Sequence, residues 1–593
     1  MGQNFVERYK IHLSVNNLEK QQRIAILGGG PAGLFMFKRL VESKRPGIII
    51  HVFEKQKRLG AGMPYSTEGA NDEHVTNVSG NEIPSLVIPL ADWLRSVPKD
   101  TLDKFHIDPK RFNEYKVLPR LLFGQYLTAQ FDLLQKQARE DNVEYEVHYN
   151  SNVTDIIDHP EQETATVEIN GDKKFEFDTV IVCTGHNWPV KCEGTVPNYF
   201  DSPYPPSKLA LKLDHPVAIK GSSLTAVDAI KTLARHNGTF DKDKDGRLFY
   251  RTAQGSQNFK LILHTRHGML PAVRFHLDDP HLSNDALLTD EEIAAHIAAN
   301  NGFLSLDYIF ENDFKQIFRN KEPEFYEQIK DMRLEDFVTA MLALRERLDP
   351  FQLLKAEYAE AEKSIRRRQS IYWKEMLGVL SFALNYPAKH LSAEDMQRLQ
   401  RSLAPLISIV IAYIPQSSSE ELLALHQAGV LDLVAVGDDS KVEPGSKSGA
   451  TYHYTDETGK PAAVYYNTYV DCVGQPHLSF EQFPFKGLLR KQTVTPARLK
   501  FYSAEEGRKA LADGQEVTID QHGDYYLKVS GIAINDRFQV VDAYGAFNPR
   551  IYIMAVPYIG GFNPDYSGLD FCEEASAIII KSLFPHHEYA AFN

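Results

Sequence analysis

Apolar and polar positions along the chain fall into the same arrangement twice. RIAILGGGPAGLFMFKRLVE followed by GIIIHVFEK runs from a short apolar stretch through a glycine turn to an amphipathic stretch and a second apolar one. That pattern predicts strand, turn, helix and strand. HPVAIKGSSLTAVDAIKTLARH and KLILHTRHG repeat the order, so a second unit starts near Pro216. Between the two, VLPRLLFGQYLTAQFDLLQKQA has helical spacing, while EYEVHYNSNVTDIID and TATVEINGDKKFEFDTVIVCTG predict a meander ending in a buried strand. From Thr289 to Gln400 the spacing is helical, opened by Thr289 with Glu292 three residues on, a capping box that satisfies free backbone donors. Strand patterns return in TYHYT, AAVYYNTYVDCVGQ and RIYIMAVPYIGG, before a helix through EEASAIIIKSLF. These patterns predict an α/β chain with two Rossmann-like units and a helical insertion at 289–400.

Composition narrows the partners. A chain of 593 residues exceeds what one core usually organises, which agrees with several units. Its formal net charge of -14 opposes nucleic acid and anionic lipid, since both require a basic footprint, and leaves small molecules as the expected partners. The four cysteines, Cys183, Cys192, Cys472 and Cys572, form no CxxC pair, so no disulfide framework or dithiol redox centre is expected. The first residues lack a continuous apolar core, and Val6 stands where a myristoylation signal needs Ser or Thr, so a cytoplasmic protein is expected. Leu403 to Ile414, the longest apolar stretch, is shorter than the roughly 20 residues of a membrane span and predicts a buried helix or strand. The sequence offers no guide to oligomeric state.

Candidate chemistry sits at the turns. Gly28, Gly30 and Gly33 fill a GxGxxG pattern between strand and helix, with Pro31 and Ala32 inside it. The first glycine permits the tight turn, the second leaves room for a pyrophosphate and the third lets helix and strand pack closely, while the helix N-terminus attracts the phosphate. Glu54 ends the next strand, where a carboxylate accepts from ribose hydroxyls; Lys55 beside it and Val153 in the meander join the cofactor-binding candidates. The second turn, Gly221, Ser222, Ser223 and Thr225, keeps only the first glycine. Arg266 at the next strand end, helped by Lys220 and His264, either recognises a 2'-phosphate, favouring NADP over NAD, or is an ordinary surface arginine.

Other patterns weigh less. Asp241, Asp243, Asp245 and Gly246 mimic a calcium loop, but Thr252 replaces the bidentate Glu, which predicts a solvated hairpin. His264, His267, His276 and His281 lack an acidic or cysteine partner at a metal spacing, and no metal is expected. Arg366, Arg367 and Arg368 predict a wet helix face, the alternative being the lining of an anionic-substrate pocket.

DTVIVCTGH at Thr184-Gly185 and NTYVDCVGQP at Val473-Gly474 end buried strands in a small residue and glycine. With the two turns and the C-terminal helix, this order resembles the flavoproteins with two dinucleotide-binding domains, specifically the FAD- and NADPH-dependent monooxygenases. Those include flavin-containing, Baeyer-Villiger and amine N-hydroxylating enzymes. GAGMPYST, HVTNVSGNEIPS and LPRLLFGQYL are most similar to bacterial FAD/NAD(P)-binding proteins related to the N-hydroxylases. The resemblance spans most of the chain in architecture and is sharp in these motifs. It implies an FAD-binding Rossmann-like domain, 1–210 and 451–593, interrupted by an NAD(P)H-binding one, 211–288 and 401–450, with FAD and NADPH as cofactors and dioxygen and a small molecule as reactants. It places Arg120 and Gln125 near the cofactor, Arg120 being otherwise a helix-start surface charge. Gly560, Gly561 and Asp565 then lie at a helix start facing the flavin, or in a plain turn. Asn77 and Asn81 are the candidate catalytic polar residues beside the flavin, or turn-forming asparagines. The implied reaction is monooxygenation through a peroxyflavin, N-hydroxylation of an amine or amino acid being favoured. Electron transfer to another acceptor and a non-catalytic flavin-binding sensor are the other readings.

Overall fold

The structure, a computed structural model, describes residues 21–185, 188–278, 287–475, 477–564 and 568–585. The first unit opens with β1 (Gln22–Leu27), α1 (Pro31–Glu42) and β2 (Ile48–Phe53), and continues through α2 (Arg120–Glu140) and β3 (Glu144–His148). A meander of β4 (Val153–His159), β5 (Thr164–Ile169) and β6 (Lys173–Phe177) leads to β7 (Thr179–Val182). The second unit comprises β8 (Tyr199–Phe200), β9 (Pro216–Lys220), α3 (Leu224–Asn237), β10 (Lys260–Thr265), β11 (Leu431–Ala435) and β12 (Thr468–Asp471). The chain then returns to β13 (Gln539–Val541), β14 (Phe547–Ile553) and α4 (Leu569–Leu583).

The first sheet has the order β13-β14-β7-β1-β2-β3, parallel except for β13 against β14. Every residue of β7 is buried, as expected of a parallel strand covered on both faces. The second sheet, β8-β12-β9-β10-β11, is parallel throughout. Thr289 and Glu292 form the expected capping box at the start of a helix over Asp290–Ala299. The stretch from Leu403 to Ile414 is mostly the helix Ala404–Val410, with Leu406 and Val410 buried. The calcium-like segment is an antiparallel hairpin, Gly238–Lys242 against Leu248–Thr252.

Three expected boundaries move. Strand β12 lies between β8 and β9, and the two strands before it, Ala450–Thr455 and Pro461–Tyr466, pair with each other, so the chain rejoins the first unit after Asp471 rather than at 451. Strand β8 belongs to the second sheet, although it precedes 211. Helices also run on past 400, to Gln416–Gln427. The helical region divides its apolar faces. Leu306, Phe314, Leu377 and Leu403 pack into the core that contains β1, α1 and β14, whereas Phe351, Leu354 and Leu422 pack against Val217, Leu261 and Val470 of the second sheet. The insertion therefore stabilises both units by apolar burial, worth roughly 1.5–3 kcal/mol for each such side chain. Among the described residues no helix is long and apolar enough to cross a membrane.

Candidate functional site

One cavity of about 1250 Å³ follows the carboxyl ends of the first sheet's strands and continues to the start of α3. Crevices in this position are where open α/β sheets bind ligands. Gly28, Gly30, Pro31 and Ala32 form part of its wall. Gly28 has φ +105°, and a Cβ there would lie 2.8 Å from the Cys183 carbonyl oxygen. Gly30 is the N-cap of α1, and its missing side chain leaves the gap to Gly62 Cα that a Cβ would narrow to 3.2 Å. At Gly33 a Cβ would stand 2.1 Å from the Gly28 carbonyl oxygen, so helix and turn meet here only as glycine.

Glu54, 7% exposed, accepts the Gly29 N–H through Oε2 and the Gln56 N–H through Oε1, each at 2.8 Å. An ionised carboxylate offers about four acceptor positions, so capacity remains for ribose hydroxyls. Lys55, Val153, Thr184 and Gly185 line the same wall, and nothing would crowd a side chain at Gly185. A flavin dinucleotide fits these residues. The glycine cradle leaves a pyrophosphate room against helix amides, the acid retains acceptor capacity, and the volume exceeds the roughly 300–1,000 Å³ of ordinary ligand pockets.

The second turn reaches the same space in part. Gly221, at φ +97°, donates its N–H to the His264 carbonyl at 2.8 Å, as Gly28 does to Phe53 at 2.8 Å. Ser223, the N-cap of α3, and Thr225 line the cavity, whereas Ser222 turns away to donate to the Met269 carbonyl at 2.8 Å. Arg266 stands outside the cavity with its side chain 68% exposed, 3.9 Å from Asp438. The expected contribution of His264 to a phosphate field does not arise. Its ring is buried and stacked on Tyr452 at 4.2 Å, and burial pushes its pKa down to about 4, so it is neutral. Lys220 is paired with Asp471 at 3.5 Å.

Two further candidates sit differently from expectation. Asn77 lines the cavity, but Asn81 does not: its side chain accepts from Ser79 Oγ at 2.6 Å and donates to the Leu277 carbonyl at 3.4 Å, the turn chemistry that was its alternative. Gly561 packs on the strand Tyr525–Ile532, where a Cβ would lie 2.5 Å from the Ser530 carbonyl oxygen, and Gly568 and Leu569 face the cavity in its place. Asp565 lies outside the described residues, as does His281.

Arg120 and Gln125 both reach the wall, but the Arg120 guanidinium is already engaged. Its Nη1 meets Asp228 Oδ2 of α3 at 2.5 Å and its Nε donates to the Val75 carbonyl at 3.0 Å. Tyr204 donates to the same Asp228 oxygen at 2.7 Å. Burial opposes the Asp228 charge, but Arg120, His74 and these hydrogen bonds outweigh it and hold the carboxyl below its ordinary range. His74, fully buried, accepts the Asn71 N–H through Nδ1, so Nε2 carries the proton that reaches the Asp228 carbonyl and Thr232 Oγ1, each at 3.1 Å. A second tie joins buried Arg274 of the second unit to Glu82, Ser79 and the Asn77 carbonyl. Sequence reasoning missed these locks. The only local signal was a charged Asp228 and Lys231 within the apolar run AVDAIKTLA.

This arrangement defines an α/β protein with an FAD-NAD(P)-binding domain, a second parallel sheet and a helical middle domain: residues 25–187 match the family model described as FAD-NAD(P)-binding, and 289–411 match the YdhS-like middle domain. Over 567 residues the chain is 29% identical to the protein YdhS of Escherichia coli (strain K12), which covers 95% of this chain and 97% of that one. Among solved structures, the FAD-bound cadaverine monooxygenase DfoA of Erwinia amylovora is 11% identical, with 96% of this chain and 97% of that chain covered and a TM-score of 0.46. The lysine monooxygenase NbtG of Nocardia farcinica is 12% identical, with 95% and 99% covered and a TM-score of 0.40.

Proposed function

We propose that this chain is an FAD-dependent, NADPH-driven monooxygenase that inserts one atom of dioxygen into a small molecule, with N-hydroxylation of an amine or amino acid as the favoured reaction. The observation that carries this reading is the single cavity on which the N-termini of both α1 and α3 open. Two dinucleotides held there meet without crossing bulk water, which is what hydride transfer between them requires. When bound, the flavin supplies the electron transfer and oxygen activation, so the protein's task is positioning and exclusion of water. In this assignment Gly28, Gly30 and Pro31 seat the pyrophosphate and Glu54 holds the adenosine ribose. Ser223 and Thr225 face the nicotinamide nucleotide, and Asn77 stands beside the flavin. Arg120 acts as a positioning residue, because its charge fixes α3 through Asp228.

The experiment is to purify the protein, record its flavin spectrum, compare anaerobic bleaching by NADPH and NADH, and follow ¹⁸O from labelled dioxygen into products across a panel of amines and amino acids. Flavin bleaching with ¹⁸O incorporation supports the proposal. Bleaching with release of all electrons as peroxide, or to another acceptor, replaces it with an acceptor oxidoreductase. A flavin that NADPH never reduces replaces it with a sensor.

A further inference from the structure

The parallel pairing of β2 with β3 sets His51 opposite Glu146 and Phe53 opposite His148. Side chains alternate along a strand, so Glu146 and His148 share one face of the edge strand, and His51 joins them from its neighbour. Their polar atoms converge. His51 Nδ1 is 3.1 Å from His148 Nε2, and each of these nitrogens is 3.5 Å from Glu146 Oε2. A tetrahedral ion with bonds of about 2.0–2.1 Å spaces its ligand atoms by roughly 3.3–3.4 Å, close to this triangle. An octahedral face at the same bond lengths is tighter, roughly 2.9 Å.

The surroundings fit an ion as well. His148 stacks on Phe53 with centroids 4.4 Å apart, and Phe177 sets its edge to His51 at 5.1 Å, so the rings are held on an apolar wall. Burial disfavours protonation of both imidazoles, with Glu146 opposing it at each and Arg23 adding to it at His51, and the unprotonated ring is the form that ligates. The His51 side chain is 5% exposed and that of Glu146 62%, so the triangle opens to solvent on the carboxylate side, as a site that keeps a water in its fourth position requires.

We infer that His51, Glu146 and His148 form a site for a divalent cation of zinc type, clipping the edge strand β3 onto β2. Without metal, the two imidazoles share one N–H···N hydrogen bond. On binding, each ring turns its lone pair to the ion, and the shared proton moves to the outer nitrogen of the ring that carries it, so no net proton is lost. The site touches the adenosine end of the cavity through the backbone, because the Glu54 N–H donates to the His148 carbonyl at 2.9 Å. Neither the resemblance nor the proposed reaction calls for this ion.

The test uses the full chain, stripped with chelator and titrated with Co²⁺ and then Zn²⁺. The expected result is one equivalent of Co²⁺ with the visible bands of a tetrahedral N and O site, displaced by Zn²⁺, and a raised Tm. Glu146→Gln alters an exposed side chain, and His148→Phe keeps a ring against Phe53, so both retain flavin content and the far-ultraviolet dichroism of the parent. Each weakens Co²⁺ binding by more than the roughly 10–100-fold that loss of an outer partner costs. Parent protein that takes up no Co²⁺ or Zn²⁺, or variants that bind with parental affinity and spectrum, overturns the inference, in either case without bearing on the oxygenation test.

Discussion

The two dinucleotide turns share a backbone and differ in their side chains. In both, the first glycine has positive φ, +105° at Gly28 and +97° at Gly221, and sits under a carbonyl from the strand end that leaves the sheet. An added Cβ would lie 2.8 Å from the Cys183 oxygen in one and 3.0 Å from the Cys472 oxygen in the other. That glycine is therefore demanded by the topology, whatever is bound. The other two glycines survive only in the first unit, where Gly33 presses on the Gly28 carbonyl and Gly30 faces Gly62; Ser223 and Ala226 take their places in the second. The difference teaches that GxGxxG contains one requirement of the fold and two of close packing, and that a turn can lose the latter and still aim its helix at a ligand.

The comparison breaks most severely at the contact that aligns the two units. Asp228→Ala leaves the Arg120 guanidinium buried without its carboxylate and removes the acceptor of Tyr204, and the expected loss is about 3–5 kcal/mol of unfolding free energy by denaturant titration. The charge also fixes a pH dependence. The folded Asp228 carboxyl is held below its ordinary 3.8, so its contribution is complete above that value and is lost as pH falls through the folded pKa. Parent and variant should converge in stability in strong acid; an equal gap at all pH values would show that the charge is not what Asp228 supplies. Next comes Gly33→Ala, whose Cβ meets a carbonyl at 2.1 Å and must displace α1. Overpacking of this kind costs about 1–3 kcal/mol, and the variant is expected to lose FAD on gel filtration. An intact flavin complement would remove the packing explanation for the third glycine.

Local patterning made the repeated units legible because strand, turn and helix are each decided within a few residues, as at β1, Gly28 and α1. The capping box at Thr289 was readable for the same reason. What depended on distant pairing was not. Nothing near Thr468 says that β12 is to be inserted between β8 and β9, so the boundary at 450 fell short of Asp471. Arg120 was readable as a residue near the cavity, but its partner Asp228 lies 108 positions away. His51 and His148, 97 positions apart, meet only through strand register. Asn81 was misplaced for the opposite reason: local turn chemistry with Ser79 consumed a side chain assigned to the cavity.

A milder change sharpens the same comparison from the other side. Ala226→Gly restores the third glycine of the second turn, and the intrinsic cost of glycine in a helix, about 0.8–1.0 kcal/mol, adds to about 0.8 kcal/mol for the lost buried methyl. Stability should fall by about 1.5–2 kcal/mol with the Kd for NADPH unchanged. A markedly tighter Kd would mean that Ala226 limits the approach of the nucleotide rather than the packing of α3.

The smallest effect is expected at Arg266, where the second unit's preference between NADPH and NADH is assigned. The side chain is 68% exposed and shares its charge with Asp438 at 3.9 Å, so water and salt weaken whatever it offers a 2'-phosphate. Arg266→Ala should raise KM for NADPH by up to about tenfold, or about 1.4 kcal/mol, with KM for NADH unchanged and the gap narrowing at high salt. His264 cannot compensate on acidification, because its burial holds the pKa to about 4 and the ring stays neutral through pH 5.5. Its pH effect is on stability instead: the folded pKa lies below the unfolded 6.5, so stability is full above 6.5 and declines toward 4 as the unfolded chain takes up the proton. NADPH affinity in the Arg266→Ala variant should therefore not recover between pH 8 and 5.5. Recovery there would place a protonated histidine at the phosphate, and the stacked, neutral His264 would no longer account for the weak second turn.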